Sequence, residues 1–180
     1  MSRVLPGRRR FDPGPVLPTS CAKVEIPDAG AEGVLFCPGS AAGGYSLFVQ
    51  EGRLHYVHNY VGRSLHKVST DEPLKPGAHE LRFEFEPTGK PDLPAGRGAP
   101  GRLQLYVDGQ LVANADAPVT TPFMLNPDGV TCGANPESPV TPDYPSPFKF
   151  TGVLHEVTVD VSGELIHDPE AELRAHMARQ

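Results

Sequence analysis

The sequence predicts an all-β fold, an antiparallel sandwich of two sheets, and three observations support this prediction. Short runs of alternating apolar and polar residues succeed one another between residues 21 and 161. The chain contains 21 Pro and 19 Gly in 180 residues, which supply the turns between such strands. No helical pattern alternates with the strands, which disfavours a parallel α/β sheet. The long connections favour a jelly-roll or concanavalin A-like sandwich over a simple meander.

A hairpin over residues 43–62 is the strongest local signal. Two runs of aromatic and β-branched residues meet there at Glu51-Gly52. A second hairpin is predicted at Asp108-Gly109, because Asp-Gly is a preferred pair for the tight turn of a two-residue hairpin.

The clearest single strand spans residues 80–86. Its Leu81, Phe83 and Phe85 fall on one face and its charged residues on the other, so one face is predicted to be buried and the other solvated. The remaining predicted strands span residues 21–26, 33–37, 45–50, 53–59, 65–69, 103–107, 111–113 and 153–161.

The chain is predicted to comprise three segments: a Pro/Arg-rich leader over 1–20, the sandwich domain over 21–162, and a helical tail over 163–180. The tail begins with Asp168 followed by Pro169, an N-cap and a favoured first helical residue, and a short helix is predicted to follow. Within the sandwich, the Pro- and Gly-rich stretches 87–102 and 126–147 are predicted to be long surface loops.

Charge and hydropathy exclude several classes of partner. The net charge is −6, and the only basic cluster is the terminal Arg8-Arg9-Arg10, interpreted as a solvated tail. We therefore predict no nucleic-acid partner, since phosphate contacts need clustered Lys and Arg. No apolar run has the length of a membrane span, and the start lacks the apolar core of a signal peptide. The expectation is a soluble, unexported chain with no membrane partner, cytoplasmic or of unknown location.

Five segments, in the same order along the chain, resemble the C-terminal β-sandwich domain of bacterial arylsulfatases. Together they cover most of the chain, from about residue 24 onward. They are Gly33-Val34-Leu35-Phe36, the 43–62 hairpin, residues 76–85, Leu105-Tyr106-Val107-Asp108-Gly109, and Asp143-Tyr144-Pro145 through Phe150-Thr151-Gly152. The resemblance implies a sandwich that packs against a large α/β catalytic domain. In whole members of the family that domain carries a Cys-x-Pro-Ser-Arg or Cys-x-Ala-x-Arg motif, whose Cys becomes the formylglycine nucleophile beside a divalent metal.

The catalytic motif of that family has no counterpart in these 180 residues. Cys21, Cys37 and Cys132 are each followed, four positions on, by a residue other than Arg. The family's paired-Asp metal cluster is not identifiable either, so no catalytic residue, metal site or cofactor is predicted, and no sulfatase activity is expected from this chain alone. Three cysteines at wide spacing do not form a disulfide framework, and free, mostly buried thiols are expected. The chain also departs from the family at Ser40-Ala41-Ala42 and at 131–135, which puts a ligand role of those loops in doubt.

The hairpin offers one candidate ligand site. Aromatic rings stack on sugars while polar groups take hydroxyls, so a glycan platform is a hypothesis for this strand pair. The alternative is ordinary cross-strand packing, which the absence of Trp favours. The candidate residues are Tyr45, Tyr56, His58, Asn59 and Tyr60.

Metal and nucleophile chemistry have weaker signals. His55 and His58 are predicted to point to opposite faces of one strand, so they cannot chelate one ion. Asp128 and Asp143 are oxygen donors suited to calcium, but no dense Asp-x-Asp spacing supports such a site. No Gly-x-Ser-x-Gly elbow and no phosphate-binding glycine motif occurs.

The leading hypothesis is a non-catalytic domain that packs on, and supports, a sulfatase catalytic domain or chain. Two alternatives stay open: an independent lectin-like module that binds a glycan, and a truncated remnant that either has no function or associates through the sandwich surface that its missing partner once covered.

Overall fold

The computed structural model describes residues 19–122 and 129–160, which form an all-β sandwich. The first six strands are β1 (Thr19–Ile26), β2 (Gly33–Cys37), β3 (Gly39–Ser40), β4 (Gly43–Gln50), β5 (Arg53–Tyr60) and β6 (Ser64–Ser69). The next are β7 (Gly77–Pro87), β8 (Gly101–Val107), β9 (Gln110–Ala117), β10 (Thr131–Cys132) and β11 (Val153–Asp160), with a 3₁₀ turn at Leu93–Ala95.

The strands form two antiparallel sheets, as predicted. The order in the five-stranded sheet is β11-β1-β7-β8-β9. The order in the second sheet is β10-β2-β4-β5-β6, and β3 pairs with β4 beside this path. Strands distant in sequence lie side by side in both sheets, so the fold is a jelly-roll type of sandwich rather than a simple meander.

Both predicted hairpin turns are confirmed. In the β4–β5 turn, Glu51 and Gly52 have φ of 50° and 71°. In the β8–β9 turn, Asp108 and Gly109 have φ of 50° and 80°. Positive φ at both central residues is the geometry that fits the right-handed twist of the flanking strands.

The main core lies between the two sheets. It is built from alternate residues of the long strands, and the predicted inward set of β7 is buried as expected. Its large inward side chains include Leu47, Tyr45, Leu54, Tyr56, Leu81, Phe83, Leu103 and Leu105.

A second apolar layer covers the outer face of the six-stranded sheet. Val140 and Tyr144, from the predicted loop 126–147, are buried there against Phe48 and Val57. The phenol of Tyr144 donates to the Ser46 hydroxyl at 2.9 Å. As a result β4 and β5 are buried on both faces, and nearly all of their residues are buried.

The predicted strands are present, with small differences at their ends. β1 begins at Thr19, inside the predicted leader, because the pairing with β7 continues to Ser20 opposite Phe83. β9 extends to Ala117, beyond the predicted 111–113, because β8 pairs with it over its whole length. The predicted helical tail and residues 1–18 of the leader lie outside the described residues.

The Asp108 carboxylate joins the β8–β9 turn to the start of β7. It accepts the backbone N–H of Glu80 at 2.9 Å and lies 2.7 Å from Nδ1 of His79. Partial burial acts to raise the pKa of Asp108, but these two hydrogen bonds and the His79 charge lower it overall.

Asp108→Ala is expected to lower the free energy of unfolding by about 1 kcal/mol, because it removes two hydrogen-bond acceptors and disfavours the positive φ. Asp108→Asn should cost less, since Asn keeps an acceptor and tolerates this conformation. Urea denaturation measures both. Asp71→Ala, in an exposed bend, is the matched control; an equal loss in the two Ala variants would contradict this role for Asp108.

Candidate functional site

The five predicted site residues lie on the paired strands β4 and β5, but their side chains are buried. Tyr45, Tyr56 and His58 are 0% exposed, Asn59 is 3% exposed and Tyr60 is 9% exposed. Asn59 also lies on the opposite face of β5 from its neighbours, because side chains alternate along a strand. The five residues therefore do not share one accessible surface.

The tyrosine rings are part of the aromatic core. Tyr56 stacks on Phe83 of the opposite sheet with ring centroids 3.5 Å apart, and Tyr45 lies 5.4 Å from Tyr56. Burial raises the pKa of both phenols, so both are neutral. The Tyr56 hydroxyl has no hydrogen-bond partner among the described residues. This is the cross-strand packing arrangement, and the glycan platform stays a prediction that requires these rings to become exposed.

The His58 side chain is neutral, and Thr121 holds it through hydrogen bonds. Its Nε2 accepts the backbone N–H of Thr121 at 2.9 Å and lies 3.1 Å from the Thr121 hydroxyl. The ring proton is therefore on Nδ1, which has no partner among the described residues. Burial, with a smaller effect of nearby His66, lowers the pKa of His58 to about 3. His58 thus anchors the chain that follows β9.

Asn59 and Tyr60 connect β5 to two loops. The Asn59 amide donates to the carbonyls of Ala41 at 3.2 Å and Val140 at 2.9 Å, and its oxygen accepts the N–H of Gly62 at 2.8 Å. The Tyr60 hydroxyl donates to the Gly96 carbonyl at 3.0 Å. Both side chains hold segments of the fold together and leave few groups for a ligand.

A shallow cleft of about 310 Å³ opens at the tip of the β4–β5 hairpin, on its outer face. His55 stacks on Phe48 there, and its two ring nitrogens contact Ser69 and the Gln50 carbonyl. His55 and His58 lie on opposite faces of β5, as predicted. The cleft is lined by Phe48, Gln50, Glu51, His55 and Asp143.

Asp143, one of the two carboxylates considered for calcium, is paired with a cation. Its carboxylate accepts from the Lys67 ammonium at 2.6 Å and from the Thr141 hydroxyl at 2.7 Å. Partial burial acts to raise the pKa of Asp143, but these hydrogen bonds and the Lys67 charge lower it overall. Asp128 lies outside the described residues, and the described part of the chain holds no cluster of three His, Cys, Asp or Glu suited to a metal.

The thiols are unpaired within the described residues. Cys37 is buried, and burial raises the pKa of its thiol to about 11, so it is not a reactive thiolate. Cys21 is half-buried, and its pKa is also raised. Cys132 was expected to be buried, but it is exposed because it lies on the edge strand β10.

Within the described part of the chain, no segment packs over the outer face of the five-stranded sheet. At its centre the guanidinium of Arg82 lies 4.2 Å from the ring centroid of Tyr106, and it also pairs with Glu84. Nearby, Lys23 pairs with Glu156 at 3.0 Å. Carboxylates outnumber bases on this face: Glu25, Glu80, Glu84, Glu86, Asp116, Glu156 and Asp160 against Lys23, Arg82 and Arg102.

Two features were not predicted from the sequence: the apolar layer over the outer face of the six-stranded sheet, and the acidic outer face of the five-stranded sheet. A sequence pattern could have indicated the apolar layer, since its residues Val140, Tyr144 and Phe148 recur at intervals of four within a Pro-rich stretch. Which sheet face remains open depends on where that stretch folds back, which no local pattern shows. The described residues contain no helix long and apolar enough to cross a bilayer.

The sheet order and the core between the sheets define the class of the protein: a concanavalin A-like, jelly-roll β-sandwich. Among solved structures, the chain is similar to domains LG4-5 of the mouse laminin α1 chain, with a TM-score of 0.59 and 16% identity. That match covers 79% of this chain and 35% of the laminin chain. A SAP-like pentraxin from Limulus polyphemus matches with a TM-score of 0.46 and 14% identity, over 82% of this chain and 73% of the pentraxin.

No protein-family model and no curated protein sequence matches the chain. At 16% identity the laminin likeness concerns the fold alone. The sandwich prediction is confirmed at the level of the concanavalin A-like fold, and these matches contain no sulfatase.

Proposed function

We propose that this chain is a non-catalytic sandwich domain that packs against, and stabilises, a catalytic domain of the arylsulfatase type. The observation that carries the proposal is where the five family-like segments lie. They form β2, the β4–β5 hairpin, the start of β7, the β8–β9 turn and the cover of the six-stranded sheet. A resemblance spread over both sheets supports a shared domain more strongly than one short motif would.

The family-like residues also have specific structural roles. At Gly33, the space that a Cβ would need is occupied by the backbone of Lys149, and at Gly152 it lies 2.6 Å from the Glu25 carbonyl oxygen. Tyr144 reaches the Ser46 hydroxyl below the sheet. The roles of Gly33, Gly152 and Tyr144 are thus in the packing of the fold. None of these roles involves a chemical reaction, which supports a non-catalytic function.

The open face of the five-stranded sheet supports a docking role. The opposite sheet is covered by the chain's own loop, whereas this face presents a stacked Arg82–Tyr106 pair surrounded by carboxylates. Arg and Tyr are enriched among the residues that dominate protein interfaces. An excess of carboxylates favours a basic surface on the partner.

The experiment is to sequence the DNA directly upstream of this coding region and to co-express this chain with any arylsulfatase catalytic domain encoded there. We expect the two to co-purify, and the catalytic domain to be more thermostable with the chain than without it. Arg82→Ala removes the guanidinium that stacks on Tyr106 and should weaken the complex at least about tenfold, whereas Lys90→Ala, the same loss of charge at an exposed position outside this face, should not. The absence of such a reading frame, or a partner that neither binds nor gains stability, would overturn the proposal.

A further inference from the structure

We propose that the edge strand β9 pairs antiparallel with β9 of a second copy of this chain, joining two five-stranded sheets into one. This inference does not depend on the proposed function. It rests on the backbone edge of β9 with which no other described strand pairs, on the few charges along that strand, and on a two-fold register in which its side chains complement one another.

Among the three sheet edges longer than two residues, β6 and β9 carry one Asp, Glu, Lys or Arg each, and β9 is the longer of these two. Edge strands expose unpaired N–H and C=O groups, and natural sandwiches protect them with charges, with Pro or by keeping them short. β10 has two residues, β6 carries Lys67, and β11 carries Glu156 and Asp160. The eight residues of β9 contain one charge, Asp116, and no Pro. Within residues 19–122 and 129–160, β9 pairs with β8 alone.

The hairpin end of β9 is also apolar at its surface. Leu111 and Val112 are 49% and 39% exposed, and both are among the large hydrophobic side chains exposed in the described part of the chain. A bulge opposite Leu105 and Tyr106 displaces this end from regular pairing. The regular part of the strand is therefore residues 113–117, whose register with β8 is unbroken.

When the two copies of β9 are related by a two-fold axis through Ala115, the residues that face each other across this segment are complementary. Ala113 then lies opposite Ala117 of the second copy, and Asn114 opposite its Asp116. The amide of Asn114 can donate to that carboxylate, and the symmetry makes the pair twice. Asn114 and Asp116 are both exposed on the outer face, where directly opposed side chains are close enough to interact.

The charges allow this pairing. The two Asp116 carboxylates lie diagonally, about 8 Å apart by strand geometry, so they are not directly opposed. Within each copy, Arg102 Nε lies 3.9 Å from the Asp116 carboxylate and offsets part of its charge. The small side chains of Ala113 and Ala115 present no steric obstacle to strand approach.

Light scattering coupled to size exclusion, from micromolar to about millimolar protein, tests the proposal. We expect a concentration-dependent dimer for the unmodified chain. In Asn114→Asp, the new carboxylate of each copy lies opposite Asp116 of the other copy. This repulsion occurs twice in the dimer and should raise its dissociation constant about tenfold. Asn114→Lys places ammonium groups opposite Asp116 and should keep or strengthen the dimer. A general disruption of the edge would instead weaken it in both variants.

Thr158→Asp on the other edge of the same sheet is the matched control and should leave the dimer unchanged. Melting curves verify that each variant is folded, which is expected because residue 114 is exposed. A chain that stays monomeric throughout this range overturns the inference. So does a dimer that responds to Thr158→Asp, or that responds equally to Asp and Lys at position 114.

Discussion

Tyr56→Ala is expected to lower the free energy of unfolding by about 3–5 kcal/mol, the range for removing a large aromatic side chain from a core. Tyr56 is 0% exposed and stacks on Phe83 across the two sheets. Its removal opens a cavity in the centre of the sandwich, and the surrounding strands are held by their ladders and cannot collapse into it. Guanidinium denaturation at neutral pH measures the loss.

Tyr56→Phe is the control for this prediction. The Tyr56 hydroxyl is buried without a partner, so its removal should leave stability unchanged or raise it by about 1 kcal/mol. A large loss in the Phe variant would show that the hydroxyl is hydrogen-bonded in solution. A small loss in the Ala variant would show that the ring is not packed in the core, and would favour the glycan platform.

Stability is expected to fall by about 2 kcal/mol between pH 7 and pH 5 because of His58. Its pKa is lowered from 6.5 to about 3 in the folded state. As the pH decreases below 6.5, the unfolded chain binds a proton at this position and the folded chain does not. Acid therefore favours unfolding, and the effect grows until the pH reaches the folded-state pKa. Urea midpoints between pH 7 and 5 measure it.

His58→Gln should remove most of this pH dependence, because Gln can accept the Thr121 N–H and does not titrate. His66 also has its pKa lowered by burial and acts in the same direction, so His66→Gln is the companion variant. The carboxylates with lowered pKa values, Asp108, Asp143 and Glu156, lose their contribution only at lower pH. A parallel pH profile in His58→Gln and the unmodified chain would contradict the prediction.

The strands and hairpins were predictable because their signals are local. Alternation in residues 80–86 reflects a strand with one buried face, and Asp108-Gly109 reflects the backbone conformation of a two-residue turn. The arylsulfatase resemblance depends on these same fold-forming segments. It therefore predicted a sandwich, while the packing of this chain against a sulfatase catalytic domain remains a proposal.

The candidate site was less predictable, because exposure is not a local property. Tyr45 and Tyr56 have the residue types of a binding surface, but the opposite sheet covers them with Phe83. Asn59 lies two residues from a core position, yet it binds the loop at Val140, 81 residues away. Burial of this kind is set by segments distant in sequence.

Local patterning was sufficient to establish an antiparallel all-β chain and its two tight turns, since each depends on neighbouring residues alone. Within the described residues, long-range packing decided which strands are edges and which sheet face Val140 and Tyr144 cover. Those properties depend on how segments about a hundred residues apart share one core, as Tyr144 and Ser46 do. They are therefore visible only in the folded chain.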